Sequence, residues 1–298
     1  MADSAAKTLP FVSVIVPVWN GPDQIATCLT ALGAQTYPRD RFEVLVVDNA
    51  STDSTAEAAR RFPFAIVLAE STPGSYHARN HGLRVARGEY VAFTDADCIP
   101  APNWIERAVE SALHHPSAGI IAGRIELFRS NPDDREVYEW YERLFSFRQD
   151  KGAQQGFCAT ANWLSRRDTL VSAGGFQADR KSGADGELAR RLVDSGWPIV
   201  YVDDIVVRHP VRGTFRELAK KRRRLTGGRW QRTSRRARVL RILALILWDT
   251  ARRLRSTALD RGPGLAMRVG VGCLVIALSG VAVAELLRLS ARGQASRA

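Results

Sequence analysis

Asp95-Ala96-Asp97 is the first of four short stretches whose side chains could carry chemistry. It directly follows the apolar stretch Tyr90–Thr94, so both carboxylates are expected at the carboxyl end of a strand. Two carboxylates at this spacing suit Mg²⁺ or Mn²⁺, and such a metal can hold a diphosphate. An exposed acidic turn would carry the same residues. The position after a strand favours a ligand site, because ligands of α/β sheets gather at that edge.

Asp48-Asn49 forms the second stretch, again at the end of an apolar run, Phe42–Val47. A carboxylate next to an amide can hydrogen-bond to a nucleobase or a ribose. The alternative is a cap on the helix that follows, and we assign Asp53 mainly to capping.

Arg79 and Asp185 complete the set. Arg79, in Arg79-Asn80-His81-Gly82, could form a bidentate pair with a phosphate through its planar guanidinium group, or it could be a surface residue of a helix. We expect His81 to be a packing or surface residue. Asp185 follows a glycine turn and could serve as a general base. Spacing alone favours a helix cap for Asp185, a role that Glu187 fits equally well.

The elements that must position these residues alternate between strand and helix. The runs at Val12–Val18 and Phe42–Val47 are short and β-branched, which predicts buried strands of a largely parallel sheet. Helical spacing of Ile25, Leu29 and Leu32 follows the first run. This alternation predicts a doubly wound α/β layer architecture.

Composition sets limits on class and compartment. The chain has 298 residues and a net charge of +12, enough length for one α/β core and an appendage. Its four cysteines are scattered without a Cys-x-x-Cys pair, which argues against a zinc site or a disulfide framework and suits a reducing compartment. The first ten residues are polar and do not resemble a signal peptide, so we expect the catalytic part to stay in the cytosol.

The basic excess is concentrated in the last third. Residues 208–261 contain eighteen Lys and Arg against three Asp and Glu, whereas residues 1–110 contain nine against thirteen. Val239–Trp248 predicts an interfacial amphipathic helix, and Val269–Ala284 predicts a single membrane span or a packed helix. Too few aromatic residues lie among the arginines to favour a nucleic-acid-binding site. We therefore expect the tail to bind the cytoplasmic face of a membrane and not nucleic acid.

Taken together, the chain resembles glycosyltransferase family 2 from about Phe11 to about His209. The resemblance rests on four motifs in order: Val14–Asn20 (VIVPVWN), Val46–Asp53 (VVDNASTD), Ala78–Gly82 (ARNHG) and Gly88–Asp97 (GEYVAFTDAD). It implies a GT-A fold and inversion at the anomeric carbon. The predicted organisation is an extension at residues 1–10, the GT-A domain at 11–215, an Arg-rich segment at 216–262 and an apolar helix with a short tail at 263–298.

The resemblance also implies roles for individual residues. Arg79 would lie near the phosphates, Asp95 would approach the ribose or sugar, and Asp97 would bind the metal. His209 would reach the metal or the diphosphate. The nucleoside of a nucleoside-diphosphate sugar would be lined by Pro17, Trp19, Asp48 and Asn49.

On the acceptor side, Gly174-Gly175-Phe176 resembles a family segment, and the catalytic Glu-Asp pair falls on Ala184-Asp185. Asp185 would keep the base role although the Glu is missing. The processive Gln-x-x-Arg-Trp motif is absent from the sequence, so single transfer is expected and not polymerisation. Because the tail is expected at a membrane, we expect the acceptor to be lipid-linked or part of a cell-envelope glycan. A nucleotidyltransferase fits poorly, because Asn20–Asp23 is not a Gly-rich, Lys-bearing loop. A sugar-nucleotide-binding scaffold without catalysis stays open because of Ala184.

Overall fold

The computed structural model describes residues 9–234 and 237–292, with the side chain of Arg292 excepted. Most of the predicted extension at residues 1–10 and the end of the tail therefore lie outside the described residues. The chain divides into two compact units. The sheet unit comprises Met1–Glu126, Gln149–Asp179 and Ala184–His209, and the helical unit comprises Leu127–Arg148, Arg180–Gly183 and Pro210–Ala298.

An eight-stranded mixed sheet forms the centre of the sheet unit, in the order β3-β2-β1-β4-β7-β6-β8-β5. β1 is parallel to both β2 and β4, β2 is parallel to β3, and β7 runs antiparallel to β4 and β6. The predicted doubly wound α/β fold is confirmed, and the sheet is mixed because β7 is antiparallel to its neighbours. The strands are β1 Val12–Val18, β2 Phe42–Asp48, β3 Ala65–Ala69, β4 Tyr90–Phe93, β5 Ile99–Pro100, β6 Ile120–Phe128, β7 Trp163–Arg166 and β8 Ile199–Pro210.

Helices flank these strands in the sheet unit and make up most of the helical unit. They are α1 Pro22–Gly33, α2 Thr55–Arg60, α3 Ser75–Val85, α4 Trp104–His114, α5 Glu136–Phe145, α6 Gln149–Gln154, α7 Arg167–Ser172, α8 Ala184–Asp194, α9 Phe215–Arg232, α10 Arg238–Leu259 and α11 Leu265–Arg292.

The core of the sheet unit explains why the apolar runs form strands. β1 and β4 are buried along their whole length, because helices cover both faces of a largely parallel sheet. Phe93, Trp163 and Phe176 meet at its centre, with ring centroids 5.3–6.3 Å apart. This packing fixes the strand ends that carry the polar residues.

The helical unit consists mainly of α5, α9, α10 and α11. α9 begins with a capping box formed by Thr214 and Glu217. α10 continues to Leu259, well beyond the predicted apolar run, since the charged residues after Trp248 extend the helix by pairing with one another. Leu265–Ala291 is long and apolar enough to cross a membrane, by length and composition. Of its most apolar 18-residue stretch, 39% is buried inside the protein.

Candidate active site

The candidate site lies at the carboxyl ends of β1, β2 and β4. From β1 the chain proceeds to β2 and β3 on one side, and then returns to form β4 on the other side. This reversal creates a crevice beyond the strand ends, which is where α/β sheets bind ligands. The register places Val18 opposite Asp48 at this edge.

Asp48 and Asn49 have different surroundings at the end of β2. Oδ1 of Asp48 is buried, and no described group hydrogen-bonds to it. The Asn49 amide nitrogen donates to the carbonyl oxygens of Glu70 (3.2 Å) and Thr72 (2.7 Å), and its oxygen accepts from the Gly74 N–H (2.6 Å). Asn49 therefore holds the loop that leads into α3, whereas Asp48 keeps an acceptor that a ligand can use.

Pro17 and Trp19 lie at the end of β1. Pro17 is buried within the strand, and the Trp19 side chain is 46% exposed. The loop after Trp19 is fixed by Asn20, which adopts a positive φ of 47°. Its oxygen accepts from the Thr52 N–H (2.9 Å), and its own N–H donates to Ser51 Oγ (3.0 Å). A rigid loop thus presents an exposed indole, a surface on which a planar base can stack.

Arg79 lies on α3 and forms an ion pair with Asp95. The Arg79 side chain is almost fully buried, and its guanidinium also lies 5.6 Å from the ring centre of Tyr76. Nε of Arg79 is buried without a hydrogen-bond partner among the described residues. The predicted phosphate-binding residue is therefore held at the end of β4 with a donor still available.

Asp97 and His209 come together in a cluster that also contains Asp95 and Cys98. One ligand atom from each of the four lies within 4.8 Å of the others, and His209 Nε2 is 3.6 Å from Asp97 Oδ2. The short pairing of β5 with β8, with Ile99 opposite Arg208, brings these distant segments together.

The donor set of this cluster fits a divalent cation. Two carboxylates and an imidazole suit Mn²⁺, and carboxylates suit Mg²⁺. The Cys98 thiol is a softer donor, which suits Mg²⁺ and Mn²⁺ less well than carboxylate oxygens do. Asp95, Asp97 and His209 are the three residues of the cluster that could hold a metal ion.

Asp185 lies in the first turn of α8, where Tyr76 from α3 donates a hydrogen bond to its Oδ1 (3.2 Å). Burial raises the pKa of Asp185, against the opposing effects of the Gly186 N–H, Arg79 and Tyr76. A carboxylate with a raised pKa is a better proton acceptor near neutral pH.

Tyr76 is positioned by the Gly-Gly-Phe segment. Its ring stacks on Phe176 at 5.8 Å, and Asn80 fixes the Phe176 backbone by accepting from its N–H (2.9 Å) and donating to its carbonyl (2.7 Å). Sequence reasoning did not single out Tyr76. Its position three residues before Arg79, on the same face of one helix, is the signal that could have found it.

The remaining candidate residues have mainly structural contacts. Asp53 accepts a hydrogen bond from the Thr55 N–H (3.0 Å) at the start of α2, in line with its assignment to capping. His81 lies 3.3 Å from Glu70. Glu187 is bound by Arg191 at 2.9 Å, and Ala184 is fully buried in the apolar core.

The mixed α/β sheet, with an acidic and imidazole cluster at the carboxyl ends of its strands, is typical of GT-A-type glycosyltransferases. The chain belongs to glycosyltransferase family 2, since residues 13–171 match the model of the family described as glycosyl transferase family 2. It is 36% identical over 251 residues to the glycosyltransferase AglE of Haloferax volcanii, covering 81% of each protein. The protein is thus a glycosyltransferase.

Solved structures share the fold. The mannosyltransferase PcManGT from Pyrobaculum calidifontis, in complex with GDP-Man and Mn²⁺, has a TM-score of 0.59 at 24% identity, over 97% of this chain and 77% of that one. TarS residues 1–349 from S. aureus, in complex with UDP-GlcNAc, has a TM-score of 0.56 at 18% identity, over 96% of this chain and 93% of that one. At these identities the likeness concerns the fold.

Proposed function

We propose that the protein transfers a sugar from a nucleoside-diphosphate sugar to an acceptor hydroxyl, with inversion at the anomeric carbon and with Mg²⁺ or Mn²⁺ bound. One observation carries this proposal: Tyr76 links Asp185 to the Arg79–Asp95 pair, and Asp95 belongs to the carboxylate and imidazole cluster. A base candidate, a phosphate-binding candidate and a metal-binding candidate therefore form one continuous polar site in the sheet unit.

The donor half of the site is proposed at the ends of β1 and β2. The unpartnered Asp48 oxygen would accept a hydrogen bond from the nucleoside, and Trp19 would cover the base. Pro17 and Asn49 would line the same wall, Asn49 mainly by shaping the loop. Among the similar structures, PcManGT contains GDP-Man and TarS contains UDP-GlcNAc, which supports the donor class.

The charge of the leaving diphosphate is proposed to be balanced by Arg79 and by the cation cluster. Asp97 and His209 would hold the metal ion, and Asp95 would approach the sugar or ribose. When bound, the cation would supply electrostatic stabilisation of the departing diphosphate. Arg79 would add a fixed positive charge that needs no reorganisation during the reaction.

Asp185 is proposed as the general base. Its carboxylate would take the proton of the acceptor hydroxyl while that oxygen forms the bond to C1 and the bond from C1 to the diphosphate breaks. This single displacement inverts C1 and needs no enzyme nucleophile. Ala184 is buried in the apolar core, where a carboxylate would be costly to desolvate. The proposed base is therefore Asp185 alone, without a carboxylate at position 184.

The acceptor is proposed to be lipid-linked or part of a cell-envelope glycan, presented at the cytoplasmic face of a membrane. The helical unit supports this, because α10 and α11 expose large apolar side chains, including Leu247 (60%), Trp248 (64%) and Ile276 (59%). Halfway along α11, Ser279 hydrogen-bonds to Thr250, close in sequence to the buried charge Asp249. A charge at that depth is expensive in a bilayer, which favours an interfacial position over a span.

A donor-hydrolysis screen tests the catalytic proposal. UDP-, GDP- and dTDP-sugars are incubated with the full chain and Mn²⁺, and released nucleoside diphosphate is measured with and without chelator. Metal-dependent hydrolysis of one donor is expected. Donor binding without turnover of any donor would instead indicate a sugar-nucleotide-binding scaffold without catalysis, the alternative that Ala184 suggests.

Membrane association is tested by fractionating the full chain from cells. We expect pelleting with membranes at low salt and release by high salt or carbonate. Protein that stays in the pellet after carbonate would indicate a span in place of the interfacial position. Protein that is wholly soluble at low salt would refute membrane association.

A further inference from the structure

The helical unit contains a buried carboxylate between two cations. Glu142 on α5 has no exposed surface, and it accepts hydrogen bonds from Lys221 Nζ (2.7 Å) and Arg212 Nη1 (3.1 Å). Ser146 also accepts from Lys221 (2.8 Å). The two cations lower the pKa of Glu142 to about 2, overcoming burial, which would raise it.

A second network surrounds Asp249 on α10. The carboxylate of Asp249 accepts from Arg222 (3.2 Å), Arg252 (2.8 Å) and Arg253 (2.9 Å). Arg253 also donates to the hydroxyl of Tyr141 (2.9 Å). The two carboxylates thus face five cations, so the two networks together carry a clear excess of positive charge.

A pocket open to solvent lies where these networks meet. Its cationic lining comes from Lys221, Arg222 and Arg253. Arg222 is 5% exposed, and its Nε is buried without a hydrogen-bond partner among the described residues. A buried guanidinium N–H without an acceptor is costly, and a ligand oxygen would satisfy it.

Two cations of the helical unit have lowered pKa values, for which burial is the largest cause. Burial and the neighbouring Arg212 lower the pKa of Lys221 to about 8, even though Glu142 acts in the opposite direction. Burial and Arg222 likewise lower the pKa of Arg229. Uncompensated buried cations destabilise a fold, and a bound anion would offset part of that cost.

Apolar and aromatic groups form the rest of the wall. Phe145 and Leu225 line the pocket. Tyr141 and Leu218 line it as well, and they also pack in the cluster that includes Val271, Leu274 and Leu278 of α11. The cationic lining therefore adjoins apolar side chains of the pocket, Phe145 and Leu225 among them, a combination suited to an amphiphile with an anionic head.

We propose that this pocket binds the phosphate group of a lipid, preferring a phosphomonoester, with the phosphate at Lys221, Arg222 and Arg253 and the chain along the apolar wall. Arg side chains recognise phosphate through paired N–H groups, and a monoester offers more free oxygens and more charge than a diester. The proposal is independent of the transfer reaction, because it concerns binding alone.

Leu225 provides a test that leaves the ion pairs intact. Leu225→Glu places a carboxylate beside the phosphate position, and Leu225→Gln is the matched control of equal size without charge. Arg223 on the same helix is exposed, so Arg223→Gln lowers the net charge by the same amount outside the pocket. Circular dichroism of each variant reports folding, and donor hydrolysis reports separately on the sheet unit.

The assay is co-sedimentation of the full chain with phosphatidylcholine vesicles containing either phosphatidic acid or phosphatidylglycerol, adjusted to equal surface charge. Wild type should prefer phosphatidic acid, and Leu225→Glu should weaken that binding about tenfold or more, because like charges in a partly desolvated pocket repel. Leu225→Gln and Arg223→Gln should retain most of the preference. Inorganic phosphate is titrated in parallel.

Equal binding to both lipids without saturable binding of inorganic phosphate, or equal losses in all three variants, would overturn the proposal and leave only attraction between a basic surface and anionic vesicles. Saturable binding of inorganic phosphate that Leu225→Glu abolishes, without any preference among lipids, would support the phosphate site and overturn its assignment to a lipid.

Discussion

Replacing Asp185 by Asn is the sharpest test of the proposed chemistry. The amide has the same shape as the carboxylate, and its oxygen can still accept the Tyr76 hydroxyl, so the site should keep its structure. The variant loses the proton acceptor. General base catalysis contributes about 10²–10⁴-fold, which corresponds to roughly 3–5 kcal/mol of transition-state stabilisation.

The structure favours a loss of about 10³-fold or more within that range. Glu187 is the other carboxylate in the first turn of α8, and Arg191 holds it in an ion pair. It is therefore poorly placed to substitute as a base. Glu187→Gln is the matched control, because it removes one charge from the same helical turn, and it should change turnover by less than about threefold.

Single-turnover transfer at saturating donor measures the loss, and nucleotide binding is measured separately. The pH profile adds a second readout. A base acts when deprotonated, and burial raises the pKa of Asp185, so wild-type activity should be present above that raised pKa and fall below it. The residual activity of Asp185→Asn should lack this acidic limb. Turnover above a tenth of wild type, or parallel losses of turnover and donor affinity, would refute the base assignment.

Three further predictions concern the metal, the positioning of the base and the helical unit. Asp97→Asn should abolish the Mn²⁺-dependent part of donor binding while leaving the melting temperature near that of wild type; unchanged donor affinity with Mn²⁺ would contradict the assignment. Tyr76→Phe keeps the ring stack and removes the hydroxyl that stabilises the Asp185 carboxylate. The loss of activity on the acidic side of the pH profile should therefore move to higher pH, with donor affinity unchanged. An unchanged profile would show that Tyr76 does not influence the pKa of the base. Because Lys221 and Arg212 hold the pKa of Glu142 at about 2 against an ordinary value of 4.5, urea unfolding should show roughly 3 kcal/mol of stability that is present above pH 4.5 and lost toward pH 2. Glu142→Gln should remove that pH dependence, and an identical dependence in the variant would show that other carboxylates cause it.

The sequence by itself determined the parallel half of the sheet and the location of its polar residues. Continuous β-branched runs at β1 and β2 can only be buried between covering layers, and each run leads directly into the polar residues that follow it. Asp48 and Asp95 were therefore predictable at one sheet edge, because the carboxyl ends of parallel strands meet there. These signals are local, and a single sequence contains them.

The tertiary structure decided which distant residues share the site. Tyr76 and Asp185 are 109 residues apart, and the Phe176 stack that orients Tyr76 depends on contacts with Asn80. His209 joins Asp97 and Cys98 because β5, which is only two residues long, pairs with β8.

The extent of α10 and the position of β7 also could not be predicted from the sequence alone. The apolar periodicity of α10 ends near Trp248, and the helix continues because Asp249 pairs with Arg252 and Arg253 within it and with Arg222 of α9. β7 was not predicted, since a strand of four residues has too few side chains for a clear alternation. Hydrophobic patterning specifies which face of an element is buried, whereas the identity of its neighbours depends on packing between segments far apart in the chain.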